Sequence, residues 1–79
     1  MNIKGESIIM KKATVIFDGR GPSGNIYYII GMVRDELRKQ RRINDFNTMR
    51  DRVFESKSYK EALAIIREYV DLIDISEQS

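Results

Sequence analysis

"FDGRGPSGNIYYIIGMVRDELRK", residues 17–39, contains the change of period that decides the fold. Just before and into it, "ATVIFD" (13–18) is β-branched and aromatic, with Ala13, Val15 and Phe17 on one face and Thr14 and Ile16 on the other. That alternation suits a half-buried strand. "GRGPSG" (19–24) then stops the strand with three glycines and a proline. From Asn25 onward, Ile26, Ile29, Ile30, Val33 and Leu37 recur at helical spacing, which predicts a helix to about Gln40. Ser23 and Asn25 are its candidate N-caps, and Lys39, Arg41 and Arg42 complement its C-terminal dipole.

Working outward, "INDFNTMRDRVFES" (43–56) predicts a second helix capped by Asn44 or Asp45, with Phe46, Met49 and Val53 inward. "SYKEALAIIREYV" (58–70) predicts a third, opened by a Ser58/Glu61 capping box. "VDLIDI" (70–75) reads as a strand, with Asp71 and Asp74 flanking it with charge, and "SEQS" (76–79) as a frayed polar tail. The expected fold is a single α+β domain over residues 1–79, ordered β-α-α-α-β, with three helices covering one face of a small sheet. Residues 1–11 add either a loose extension or a third strand at "SIIM" (7–10). "MKKATVIF" from Met10 also has the look of a natural start, in competition with Met1.

Composition narrows the chemistry. The 79 residues contain neither cysteine nor histidine, which removes thiolate zinc sites, thiol catalysis and the commonest neutral-pH general base. No enzymatic activity, metal or cofactor is expected, and no apolar run is long enough to span a bilayer. The expected compartment is the cytoplasm. The net charge of +2 hides an imbalance: residues 1–42 carry nine basic and four acidic side chains, and residues 43–79 carry five and eight. Such polarity suits an anionic ligand at one end or contact between copies. Two strands are marginal in water, and Ile16, Ile73 and Ile75 would leave the second sheet face apolar, so a homodimer or higher homo-oligomer is expected.

Gly19, Gly21 and Gly24 spell G-x-G-x-x-G between a strand and a helix. A dinucleotide fold would need a parallel strand after the first helix, with an acidic residue at its tip, and a second helix stands there instead. A Walker loop would need Lys and Ser/Thr where Asn25 and Ile26 stand. Two readings remain. The loop is simply a turn, or it is an anion site built from the Ser23, Gly24 and Asn25 segment at a helix N-terminus, closed by Arg20. Tyr27, Gly31, Arg34 and Arg38 share one helical stripe, where a ring and two guanidinium groups would suit a flat anionic ligand such as a nucleotide. "RKQRR" (38–42) suggests nucleic acid more weakly, because it is short and the second half of the chain is acidic.

"VIFDGRGPSGNIYYIIGMVRDEL" (15–37) resembles a widespread group of small uncharacterised proteins of bacteriophages and mobile elements. Their pattern is a strand, a D-G-P-x-G-N-like turn and an apolar helix. Here the turn reads Asp18, Gly19, Pro22, Gly24 and Asn25, with Arg20 and Gly21 inserted, and "SKSYKEAL" (56–63) matches their later helix start. The resemblance carries no activity. It implies a phage-encoded accessory protein in the host cytoplasm that acts by binding. The resulting expectation is an oligomer that captures an anionic small molecule, such as a nucleotide defence signal. The alternatives are an inhibitor or adaptor that docks on a host enzyme, and a weak nucleic-acid binder.

Overall fold

Alternation at the start and helical spacing through the middle become strand and helix in the order the sequence suggests. The computed structural model describes residues 12–78, and within them lie β1 (Thr14–Phe17), α1 (Ile26–Lys39), α2 (Ile43–Phe54), α3 (Tyr59–Ile66) and β2 (Asp71–Asp74). This is a small α+β domain. The extra strand considered at 7–10 lies outside the described residues. The two strands run parallel, pairing Thr14 with Asp71, Val15 with Leu72, Ile16 with Ile73 and Phe17 with Asp74. Parallel strands cannot be joined by a hairpin, and the three helices form the crossover between them.

The core forms where the inward stripes meet. Val15 and Phe17 from β1 and Leu72 from β2 meet Ile29, Val33 and Leu37 of α1, Met49 of α2, and Ile66 and Val70 from the α3 end. Phe17, Ile29, Leu37, Met49 and Ile66 are fully buried. Ile16, at 56% exposure, and Ile75 remain on the surface. Outside the core, both guanidinium nitrogens Nη1 and Nη2 of Arg52 bind Glu68 (2.7 and 2.9 Å), and Nη1 also donates to the Tyr69 hydroxyl (3.1 Å). That contact strings α2 to the turn after α3.

The helix boundaries correct the sequence reading in two places. Asn44 and Asp45 do not cap α2, which begins at Ile43 with Arg42 at the cap position and no side-chain cap. The cause is the way α1 ends: the Arg42 amide donates to Leu37 O (2.7 Å) and the Arg41 amide to Arg38 O (3.0 Å), with Arg41 at φ 59°. This left-handed C-terminal motif feeds the chain straight into α2, leaving no extended residue at Asn44. Asp45 instead pairs with Arg42 Nε at 2.8 Å. The second correction is that α3 stops at Ile66 rather than running to Val70. The Tyr69 and Val70 amides fold back onto Ile66 O, and the Asp71 amide then reaches Ala13 O (2.8 Å) to start the strand pair. Past β2, Ile75–Gln78 form one 3-10 turn.

Arg41 holds a left-handed conformation that costs an L-residue roughly 1–2 kcal/mol, part of which glycine's greater unfolded freedom would offset. Arg41→Gly should therefore stabilise the fold by about 0.5–1 kcal/mol, read as a melting temperature raised by several degrees. An unchanged or lowered melt would contradict the assignment of this turn.

Candidate functional site

The glycine loop is built from local hydrogen bonds. The Asp18 carboxylate accepts from the Arg20 amide (2.9 Å), and its carbonyl accepts from the Gly21 amide (3.0 Å), bending the chain directly after β1. Pro22–Gly24 make a 3-10 turn. Of the two candidate caps, Asn25 takes the helix, its Oδ1 accepting from the Tyr27 amide at 2.8 Å. Ser23 turns the other way, and its Oγ accepts from the Asp18 amide at 2.9 Å. The Gly24 and Asn25 amides, which would have to face a phosphate, donate to Gly21 O (3.0 Å) and Pro22 O (3.2 Å).

One loop amide does face an anion, and the chain supplies it. Gly19 N–H donates to Asp74 Oδ1 at 2.8 Å, across 55 residues of sequence. The same oxygen accepts from the Ser76 amide (2.9 Å) and the Ser76 hydroxyl (2.6 Å). The Ser76 hydroxyl and the Gly19 amide, with smaller help from the Ser76 amide and the Arg20 charge, hold the Asp74 carboxyl below its ordinary range against the opposing effect of burial. Arg20 itself reaches Ser76 O (3.3 Å), so both ends of the chain's β-α-α-α-β path close on one carboxylate. Because the folded pKa is depressed, this contribution to stability is complete above the unfolded aspartate value of about 3.9. It is lost as pH falls through the lower folded value.

Space explains the glycines better than dihedral freedom, since none of the glycines among the described residues has positive φ. A Cβ on Gly19 would lie 2.4 Å from Asp74 Oδ2. On Gly24 it would lie 2.8 Å from Gly19 O and 2.9 Å from Asp18 O, which are backbone atoms that cannot swing away. Tyr59 packs on the same spot, its hydroxyl donating to Gly24 O. Burial, reinforced by the Asp74 charge and opposed by Arg67, pushes that phenol above its ordinary value.

The stripe along α1 divides between two grooves. Tyr27 and Arg34 flank Gly31 in a shallow hollow of about 330 Å³ together with Tyr28, Met32 and Asp35. Arg34 Nε lies 3.6 Å from Asp35 Oδ1. Arg38 instead lines a groove beside β1 with Thr14, Val15 and Ile16. In the basic run, Lys39 pairs with Glu36 at 3.2 Å and Arg42 with Asp45 at 2.8 Å, which dilutes the field a nucleic acid would meet.

A third concavity, of about 320 Å³, has no signature in the local sequence pattern. Ile26, Ile30, Val53 and Ala62 make its floor, and Tyr27, Phe54, Tyr59 and Lys57 its rim. Tyr27, Phe54 and Tyr59 are 71%, 59% and 44% exposed. The missing signal was tertiary: these residues come from α1, the end of α2 and the start of α3. Phe54 falls off the α2 inward stripe, which was the one local hint. Among the described residues no cluster of acidic, His or Cys side chains could hold a metal, and no helix is long and apolar enough to cross a membrane. Comparison with family models, with curated proteins and with solved structures found no match for this chain.

Two glycine substitutions separate the loop from the hollow. Gly24→Ala should destabilise by about 1–3 kcal/mol, because the new methyl meets fixed backbone. Gly31→Ala should stabilise by about 0.5–1 kcal/mol, since nothing lies within 4 Å of a Cβ there and helix propensity alone decides. Denaturant melts of both check this, and equal effects would contradict it.

Proposed function

We propose that this chain is a non-enzymatic protein-binding module whose contact surface is the aromatic-rimmed groove between α1, α2 and α3. The observation that carries the reading is the exposure of Tyr27, Phe54 and Tyr59 around an apolar floor. Large rings held over a shallow apolar depression are what partner-binding centres are built from. They bring much area to the contact at little entropic cost, and a tyrosine hydroxyl keeps the free surface soluble. Lys57 on the rim favours a partner segment with an acidic residue next to an apolar one. With the resemblance to phage accessory proteins, the partner in view is a host protein, and the action is to inhibit or tether it.

The hydrogen-bonding of the loop weighs against the alternative of an anionic small molecule held there. The Gly24 and Asn25 amides are engaged by the loop's own carbonyls, and Gly19 is engaged by Asp74. The Tyr27–Gly31–Arg34 hollow keeps that alternative open for a nucleotide, with a ring face and a guanidinium on either side of a bare backbone.

The test is affinity capture from cell extract with the wild type, Phe54→Ser and Lys57→Glu, each checked by thermal melt. One protein retained in near-stoichiometric amount by the wild type, and at least tenfold less by Phe54→Ser, is expected. Both exposed substitutions should leave stability within about 0.5 kcal/mol. Retention indifferent to both variants would overturn the reading. A melt raised selectively by one nucleotide class, and no longer raised in Arg34→Ala, would replace it with the small-molecule one.

A further inference from the structure

The described part of the sheet has only two strands, and among the described residues no strand lies along the outer edge of β1, which borders a groove. The direction of its backbone follows from one bond. The Asp71 amide donates to Ala13 O, so Ala13, Val15 and Phe17 turn their polar groups toward β2. Thr14 and Ile16 must then turn their N–H and C=O groups outward, into a groove of about 450 Å³. "TVIF" carries no proline, charge or glycine that would discourage pairing at this edge. The opposite wall of the groove is α1, which presents Asp35 and Glu36 and, one turn later, Arg38 and Lys39.

We infer that this edge is the dimerisation surface for a second copy of the chain, with β1 pairing antiparallel to its counterpart about a two-fold axis at Val15. Parity requires outward residues to pair with outward residues, and of the registers that do so only this one pairs both Thr14 and Ile16 within the strand. Centring on Val15 sets Thr14 opposite Ile16 of the partner and Ile16 opposite Thr14, so all four outward N–H and C=O groups of each strand are used. The open face gains an Ile16–Thr14 contact on each side of the axis, covering a side chain otherwise 56% exposed. The result is a continuous sheet in the order β2-β1-β1-β2.

The charges choose a second copy over an unrelated strand. A two-fold reverses α1 relative to its counterpart, so the acidic turn of each helix meets the basic turn of the other. Arg38 makes no ion pair among the described residues, and Asp35 and Glu36 hold only exposed local partners that are readily exchanged. The wall is thus complementary to itself. This surface is separate from the aromatic groove, and its standing does not depend on the protein-binding proposal.

The test is the mass of the full chain by sedimentation and light scattering across concentration, for the wild type, Asp35→Arg, Arg38→Glu and the double variant. A dimer of two 9.2 kDa chains is expected, with its dissociation constant raised at least tenfold by each single reversal and restored by the double one. Amide exchange at Thr14 and Ile16 should slow as concentration rises. A monomer at high micromolar concentration would overturn the proposal. So would a dimer indifferent to both single reversals, or Thr14 and Ile16 amides protected equally at every concentration, the sign that the chain's own residues 1–11 fill the edge.

Discussion

The contact on which the rest of the structure depends is the hydrogen bond from the Gly19 amide to the Asp74 carboxylate. A parallel pair of four-residue strands has few ladder bonds of its own, and its two members reach each other only through a three-helix crossover. Asp74 sits at the last position of β2, opposite Phe17, and its side chain reaches into the first turn after β1. Ser76 adds two donors to the same oxygen, and Arg20 closes from the loop side. The turn that aims α1 and the residue that ends the sheet are therefore one unit. Gly24 is packed against the carbonyls of Asp18 and Gly19, which places the start of α1, and with it the core stripe of Ile29, Val33 and Leu37.

The glycine-rich turn applies the physics of an anion site to a carboxylate of its own chain. A strand–turn–helix unit offers amides and a positive dipole to negative charge. Here the negative charge belongs to the chain itself. The surfaces we propose for other molecules lie elsewhere: the aromatic groove toward the α2–α3 connection, and the outer edge of β1.

Local order was legible in the sequence because it is written in short periods. The β1 alternation, the α1 stripe and the Ser58 cap on the Glu61 amide (3.0 Å) all appear in the structure. The capping box is only half reciprocal, since Glu61 Oε1 accepts from the Lys57 amide rather than that of Ser58. What could not be read was anything decided by distance in sequence. Asp74 looked like a strand-flanking charge because its partner lies 55 residues away. Ser23 and Asn25 were equivalent caps by composition, and only the position of the strand end assigned Ser23 to Asp18. Tyr59 carries no local sign of its contact, in which its hydroxyl donates to Gly24 O 35 residues away. Arg41 gives no sign of a left-handed turn, because that position usually announces itself with glycine or asparagine.

The Gly19–Asp74 contact is tested most directly by an acid titration followed by NMR at the Gly19 amide. The Gly19 resonance should move with a single midpoint below the ordinary aspartate value of about 3.9, tracking the Asp74 carboxyl. At neutral pH it should not respond to added inorganic phosphate. A Gly19 amide that ignores the Asp74 titration, or that shifts with phosphate at neutral pH, would show an open anion cradle and contradict the account.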